Sequence, residues 1–375
     1  MLTDGSASGI VRSNKPHDHR NKSMARRTKH GEEVVAYILQ NIEAHPQDIT
    51  RFTSAKFGIT RQAVNRFLRE LVANGQISPQ GKTSQRRYTI PALKEESFSL
   101  PLQGLHEDVV WRNHLAGLLD DLPSNVRSIW EYAASEMINN AIDHSNGTTL
   151  SVHVERNSVR TQIMLRDDGI GIFRKIKENC HLEDERHAVL ELAKGKLTTD
   201  PKHHTGEGIF FTSRMLDDFA ILSGDVYFTH EYGKEEDWIL QREKPSTGTA
   251  VFMNLANRSS RTCQEIYESF AAADNDYGFN KTVVPVHLLR QGLEQLVSRS
   301  QAKRLLARID RFQIVIFDFA GVENIGPAFA DEIFRVFERA HPTIRFLTVN
   351  TNAEIDLMIA RARAVQETPS PPSES

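Results

Sequence analysis

Cysteine is scarce in this chain of 375 residues, which has only Cys180 and Cys263. Two cysteines cannot form a disulfide framework or supply four thiolates to a zinc ion, and such scarcity is typical of a reducing compartment. The sequence also lacks an apolar run of the ~20 residues that a membrane-spanning helix requires, and its N-terminus has no apolar signal core. These absences predict a cytoplasmic protein without a membrane partner.

The small net charge hides two oppositely charged parts of the chain. The sequence carries 46 Lys and Arg against 49 Asp and Glu, a formal charge of −3. Residues 1–95 hold 16 of the basic and 8 of the acidic side chains, a net of +8, so the remaining 30 basic and 41 acidic side chains give −11. Because a basic segment attracts polyanions, the N-terminal part favours nucleic acid as a partner.

Length and composition predict several folded domains. Hydrophobic residues make up 39% and charged residues 25% of the chain, as in ordinary globular proteins. The length exceeds what one core usually serves, since domains mostly run to about 100–200 residues. Residues 1–30 are the exception, because they are rich in Ser, Asn, His and basic side chains without a hydrophobic period, and they predict a disordered basic tail.

Residues 31–93 show the periodicity of three short helices followed by a hairpin. Thr60 is a good N-cap for the third helix, which is predicted to run to Asn74, and predicted strands over 76–78 and 87–90 flank a turn. This order resembles the winged helix-turn-helix family, in which the third helix enters the major groove of DNA.

The resemblance implies which side chains meet DNA. The outer face of the third helix carries polar and basic groups suited to base edges, and the hairpin adds basic groups suited to phosphates. The candidate DNA-binding residues are Arg61, Gln62, Asn65, Arg66, Lys82, Arg86 and Arg87. The alternative is that these are solvated surface charges of a winged helix that binds protein.

The next part of the chain combines an acid and an amide on one helix with an acid in a glycine-rich turn. The period of residues 126–144 predicts a helix, on which Glu136 and Asn140, four residues apart, share one face. An apolar strand over 161–165 then leads to Asp167 and to a turn whose glycines allow close backbone approach. Each motif by itself is common and weak.

Two further motifs follow. Thr205, Gly206 and Gly208 precede a predicted helix start, where free backbone N–H groups favour phosphate. Thr249 stands in a Ser-Thr-Gly-Thr-Ala segment ahead of an apolar strand. The order of the four motifs over residues 100–260 resembles the GHKL ATP-binding superfamily, an α/β sandwich fold shared by type II topoisomerases, a heat-shock chaperone, mismatch-repair ATPases and histidine kinases.

The resemblance implies the cofactors ATP and Mg²⁺ and a role for each motif. Asn140 is the Mg²⁺ ligand, since this ion prefers hard oxygen ligands and completes its shell with phosphates and water. Glu136 is the catalytic carboxylate that orients or deprotonates an attacking water. Asp167 accepts the adenine amine with Thr249 beside it, and the glycines admit the ring or close on phosphates. The implied nucleotide-binding residues are Asn140, Asp167, Gly169, Gly171, Thr205, Gly206, Gly208 and Thr249.

Two features near these motifs stay open. His144 stands where the superfamily often has a basic or polar residue near phosphate, but a capping or core histidine is an equally good interpretation. Residues 173–204 correspond to the lid over the nucleotide, and the charges and hydroxyls of residues 194–199 either meet phosphates or are solvated.

Residues 275–365 alternate apolar strands with helices, among them a helix that the apolar period predicts over 290–297, and this alternation predicts a small α/β domain. The stretch 318–332 resembles the strand-loop-helix of STAS-like domains, the fold of anti-sigma-factor antagonists. In that family the loop carries a serine or threonine that a GHKL kinase phosphorylates. Here the loop reads Ile-Gly-Pro-Ala-Phe, without a hydroxyl, which excludes phosphorylation at the usual site. The domain is interpreted as a module that either binds another protein or senses a nucleotide. Residues 366–375 are predicted to be a disordered tail.

The chain is thus predicted to be multidomain, with a mainly α winged helix, an α/β sandwich that binds ATP and a small α/β STAS-like domain. The favoured function is a DNA-binding regulator that is switched by binding or hydrolysis of Mg-ATP. The alternatives are a serine/threonine protein kinase that acts on a separate STAS protein and an ATP-dependent scaffold of a bacterial stress or defence system. A conventional sensor kinase is disfavoured, since no phosphoacceptor hairpin precedes Glu136. Whether ATP is hydrolysed and whether the chain forms a homodimer stay open.

Overall fold

The computed structural model describes residues 29–82, 85–197, 206–234, 238–271, 278–290 and 295–364. The chain divides into two compact units, Met1–Ile90 and Pro91–Ser375. Of the two predicted tails, residues 1–28 and 366–375 lie outside the described ranges, and so does the candidate site residue Thr205. No helix within these ranges is long and apolar enough to cross a membrane.

Three helices and a two-stranded sheet make up the described part of the first unit. They are α1 (Lys29–Asn41), α2 (Ile49–Phe57), α3 (Arg61–Ala73) and the antiparallel strands β1 (Ser78–Gln80) and β2 (Arg87–Thr89). Apolar side chains at helical spacing face inward and form one core, which includes Val34, Ile38, Ile49, Val64, Leu68 and Leu71.

Local signals set the bounds of α3. Thr60 caps its start, since the Thr60 hydroxyl oxygen accepts a hydrogen bond from the N–H of Ala63 at 3.2 Å. At its end, the N–H groups of Gln76 and Ile77 donate to the Leu71 carbonyl at 2.9 and 3.4 Å. The strand predicted over 76–78 therefore begins only at Ser78, because the preceding backbone groups close the helix instead of pairing with β2.

A five-stranded antiparallel sheet with helices dominates the second unit. Its strands, in the order β3-β4-β5-β7-β6, are β3 (Lys94–Pro101), β4 (Thr149–Arg156), β5 (Arg160–Asp167), β6 (Asp218–Glu231) and β7 (Trp238–Ala256). Its helices are α4 (Glu107–Val110), α5 (Ser124–His144), α6 (Ile172–Cys180), α7 (Glu185–Lys194), α8 (Gly208–Met215) and α9 (Cys263–Ser269). Along β4 every second side chain is buried, so one face of the sheet covers the core.

A smaller parallel sheet follows in the same unit. Its strands, in the order β10-β9-β8, are β8 (Lys281–Pro285), β9 (Ile314–Asp318) and β10 (Arg345–Val349). Its helices are α10 (Arg299–Leu306), α11 (Pro327–Asp331), α12 (Glu338–Ala340) and α13 (Ala353–Ala364), and a π-helical turn joins α11 to α12. Parallel neighbours need crossover connections, which the helices between the strands provide.

The helix that the sequence predicts over residues 290–297 is absent at the described residues of that range, 290 and 295–297. Leu296 instead forms a bridge with Ile325, and its carbonyl accepts a hydrogen bond from the N–H of Gly326 at 2.7 Å. The helix α10 starts later because Ser298 and Gln301 form a capping box. A long-range backbone contact thus outweighs the local apolar period.

The two sheets of the second unit share one hydrophobic core. Helix α7 packs against β8, and the hydroxyl of Thr282 donates to the carbonyl of Lys194 at 2.6 Å. The parts of the chain that the sequence separates into residues 100–260 and 275–365 are therefore one compact body.

Candidate functional site

A cavity of about 390 Å³ opens in the second unit. It is lined by residues of α5, α6, α7 and α8, by the end of β5, by residues of β6 and β7, and by the segment between α7 and α8. Its volume suits a small organic ligand. Six of the residues that the sequence selects line it: Glu136, Asn140, Asp167, Gly206, Gly208 and Thr249. Residues far apart in sequence thus meet around one space.

Asp167 occupies one wall of the cavity, at the end of β5, and is only 6% exposed. Its Oδ1 accepts hydrogen bonds from the N–H groups of Gly169 at 2.9 Å and Thr249 at 3.2 Å. Burial raises the pKa of the carboxyl, and these N–H donors oppose the rise. The Thr249 hydroxyl oxygen in turn accepts from the N–H of Ile172 at 3.0 Å, which ties the start of α6 to β7.

Glu136 and Asn140 lie one turn apart on α5, as predicted, and both line the cavity. Gly208, the first residue of α8, packs directly on Glu136, and a Cβ at this position would overlap Glu136 Oε2. The Nδ2 atom of Asn140 is buried and has no hydrogen-bond partner among the described residues. A buried amide donor without a partner is costly, so this position favours a ligand or solvent group.

Gly169 and Gly171 adjoin the cavity but are not among its lining residues. A Cβ on Gly169 would overlap the Ser145 carbonyl, while Gly171 has φ +91° and a Cβ there would lie 2.6 Å from Ser223 Oγ. These glycines therefore let the turn pack against the protein's own backbone and side chains. Asp168, the next residue after Asp167, has a structural role, since it accepts hydrogen bonds from the N–H groups of Thr148 at 2.7 Å and Thr149 at 2.9 Å.

Lys175 is a cavity residue that the sequence did not indicate. It projects from α6, lines the cavity, and donates from Nζ to the carbonyl of His144 at 2.7 Å. Burial lowers the pKa of its ammonium group, and Asp143 partly opposes that effect. His144 itself also lines the cavity. The only sign in the sequence that Lys175 lines the cavity was its position one helical turn after Ile172 in a short amphipathic helix.

Lys194 was expected either to meet phosphates or to be solvated, and both expectations are wrong. Its side chain is buried, and Nζ donates to Glu191 Oε1 at 2.7 Å and to the carbonyls of Arg304 at 3.3 Å and Ala307 at 3.0 Å. Lys194 thus links α7 to the backbone at the end of α10. Thr198 and Thr199, from the same predicted run, lie outside the described residues.

The candidate DNA-binding residues of the first unit all have exposed side chains. Asn65 is engaged by Thr50, whose hydroxyl donates to Asn65 Oδ1 at 3.3 Å. The N–H of Tyr88 donates to the Pro46 carbonyl at 3.0 Å, which fixes the hairpin strand next to the basic pair Arg86 and Arg87. The structure thus presents a basic face on α3 and a second basic group at the hairpin.

Comparison with known families identifies one part of the chain. The family model described as "STAS-like domain of unknown function (DUF4325)" matches residues 301–356, from α10 to the start of α13. No curated protein is similar enough to this chain to count as a match. The C-terminal part of the chain therefore carries a STAS-like domain, within the span that the sequence indicates. Its loop before α11 contains no serine or threonine between Gly321 and Pro327.

Proposed function

We propose that this protein is an ATP-binding regulator whose cavity belongs to a GHKL-type domain and whose first unit is a winged helix that binds DNA. The observation that carries the nucleotide proposal is the convergence of four separate motifs on one cavity. The order of motifs alone does not require Glu136, Asn140, Asp167 and Gly208 to be neighbours, and a chance match would scatter them.

The cavity residues have the chemistry that a nucleotide needs. Asp167 is a buried acceptor for an exocyclic amine, and Lys175 supplies a positive charge for phosphate. The N-terminus of α8 adds backbone N–H groups beside Glu136. In this proposal Asp167 selects the base, and Glu136 orients or deprotonates the attacking water.

Mg²⁺ fits this donor set only together with phosphate oxygens. Within the described ranges, no group of three His, Cys, Asp or Glu side chains is able to hold a metal alone. Asn140 is the residue that would contribute a protein oxygen, as Mg²⁺ accepts few protein ligands when phosphates and water complete its shell. The bound ion would neutralise phosphate charge.

Equilibrium binding of labelled ATP tests the nucleotide proposal. Asp167→Asn should abolish binding, because the amide no longer presents two acceptor oxygens to the base. Asp310→Asn, at an exposed position, is the matched control and should bind as the wild type does. Normal ATP binding by Asp167→Asn would show that the base lies elsewhere.

Turnover is a separate question with its own assay. Glu136→Ala should retain ATP binding and lose hydrolysis, and the assay should be run with and without duplex DNA. Labelled γ-phosphate recovered in water supports the ATPase proposal, whereas label recovered on a protein would support the kinase alternative. Unchanged hydrolysis in Glu136→Ala would remove Glu136 from the catalytic role.

A further inference from the structure

Residues 195–197 connect α7 to the wall of the cavity. Leu197 lines the cavity together with Gly206, and the N–H of Leu197 donates to the Gly206 carbonyl at 3.1 Å. Gly206 has φ +73° and packs so closely on the Leu197 backbone that a Cβ would overlap it. The position of Leu197 therefore fixes the position of Gly206, and with it the part of the cavity wall that these two residues form.

Lys196, the preceding residue, is held by the STAS-like domain rather than by solvent. Its Nζ donates to the Arg311 carbonyl at 3.1 Å, and the Arg311 guanidinium donates back to the Lys196 carbonyl at 2.7 Å. The Lys196 ammonium also lies 5.0 Å from the ring centre of Phe312 and 5.6 Å from that of Phe279. Both distances are within the range of cation–π attraction.

The backbone on either side of Lys196 has little freedom to move independently. Lys196 adopts φ +54°, a left-handed conformation that a lysine rarely takes without tertiary support. Gly195, with φ +82°, lies against the Phe279 ring, and a Cβ there would come within 2.6 Å of it. One residue earlier, Lys194 is tied to the carbonyls of Arg304 and Ala307. The whole segment is thus anchored on the STAS-like side.

We infer that Lys196 is a positioning residue of the cavity, through which the STAS-like domain holds Leu197 in place. The STAS-like domain then sets the affinity of the cavity for its ligand. A protein that binds this domain near Arg311 would change that affinity. The ligand identity rests on the nucleotide proposal, but the positioning of the wall does not.

The test compares Lys196→Met with Lys303→Met. Methionine keeps the unbranched chain but removes the charge, and the Arg311 guanidinium still reaches the residue-196 carbonyl, so the variant should fold. Lys303 is an exposed lysine of α10, with 69% of its side chain accessible, and serves as the control. Lys196→Arg is the conservative variant, since it keeps a cation for the rings and the carbonyl.

Hydrogen exchange without any ligand is the first measurement. Lys196→Met should exchange faster than the wild type in peptides that contain Leu197 and Gly206, and Lys196→Arg and Lys303→Met should not. ATP affinity is the second measurement, in which Lys196→Met should bind roughly five- to tenfold more weakly with the other two variants near wild type. Arg311→Ala, at an exposed residue, removes the other bond, the one to the residue-196 carbonyl, and should change exchange and affinity in the same direction. Because the two bonds are separate, the double variant should exchange faster than either single variant.

The outcomes separate the two proposals. If wild type binds no ATP, the nucleotide proposal fails, and the ligand-free exchange still decides the role of Lys196. If exchange around Leu197 is unchanged in both Lys196→Met and Arg311→Ala, the positioning role is overturned whatever the ligand is. Should Lys196→Met fold poorly, Arg311→Ala alone gives the same decision.

Discussion

Asp167 and Asp168 are adjacent in sequence, yet the structure gives their carboxyl groups opposite properties. Burial raises the pKa of Asp167, although two N–H donors oppose the effect. Asp168 is exposed, and its hydrogen bonds with Thr148 and Thr149 lower its pKa from 3.8 to about 2. Only the first lines the cavity, so the environment and not the residue type separates a candidate ligand-binding acid from a structural one.

The pKa of Asp168 predicts a dependence of stability on pH. Because the folded-state pKa lies below the ordinary value, the ionised carboxylate stabilises the folded protein above about pH 4. This contribution is lost as the pH falls through about 2. Urea unfolding at several pH values should show a shallower acid dependence in Asp168→Asn than in wild type. The control Asp310→Asn should follow the wild type, and equal slopes in all three proteins would contradict the assignment.

Lys175 should select for the phosphates of the ligand. Its ammonium group is partly desolvated, so the negative charge of a bound phosphate would stabilise the ammonium ion. Lys175→Gln should weaken binding of ATP and ADP by roughly tenfold, since a charge-assisted hydrogen bond is lost, and should leave adenosine binding unchanged. Lys177→Gln, on the same helix but outside the cavity lining, is the control. An equal loss for adenosine would mean that Lys175 supports the fold and not phosphate.

At the scale of single elements, α7 contributes two residues to a buried ionic cluster. Glu191 contacts Lys194 at 2.7 Å and Arg308 at 3.1 Å, and the Glu191 and Lys194 side chains are both about 2% exposed. Burial raises the pKa of Glu191, but His187, Lys194 and Arg308 outweigh it and hold the pKa at about 2. The sequence of this stretch, which was predicted to belong to the lid over the nucleotide, carried no sign that a lysine is buried in it.

Breaking this cluster should cost more than removing it. Glu191→Gln leaves Lys194 buried without its counter-charge and should lower the free energy of unfolding by about 3–5 kcal/mol. Adding Lys194→Met should recover a large part of the loss, because the uncompensated charge is then gone. Urea denaturation of the single and double variants measures both effects. If the loss of unfolding free energy in the double variant equalled the sum of the losses in the two single variants, the pairing would be contradicted.

Elements were predictable where local signals define them. Thr60 and the glycine after Asn74 bracket α3, and the helical period of α5 is sufficient to put Glu136 and Asn140 on one face. The start of β1 and the supposed helix over 290–297 were not predictable in the same way. Both were decided by backbone hydrogen bonds, and the contact between Leu296 and Gly326 depends on the fold.

At the scale of the whole molecule, the chain is two compact units, and its charge divides close to the same point. The second unit joins the cavity and the STAS-like domain through one core. This arrangement places the domain next to the cavity wall. A partner of the STAS-like domain and a ligand of the cavity are therefore expected to affect each other's binding.

The proposed DNA binding by the first unit should be separable from nucleotide binding. Arg61→Ala with Arg66→Ala should weaken binding to duplex DNA, while ATP affinity stays unaltered. The control removes two exposed arginines from the second unit, Arg112→Ala with Arg127→Ala. Wild-type protein that shows no salt-dependent retention on DNA would make the basic face a protein interface instead.

The sequence by itself determined what depends on neighbours within a few residues. It placed Glu136 and Asn140 one helical turn apart, put a carboxylate at the end of β5, and showed that the loop before α11 has no hydroxyl. Side-chain spacing and composition are local properties, so they can be read from the chain directly.

Only the tertiary structure decided which charged side chains face the cavity and which are buried elsewhere. Lys175 lines the cavity, whereas Lys194 is buried against the STAS-like domain. Lys196 contacts Arg311, which is 115 residues away in sequence. Three lysines with the same ordinary chemistry thus have different roles. The reason is that burial and pairing between distant segments, which no local pattern encodes, set the free energy of each charge.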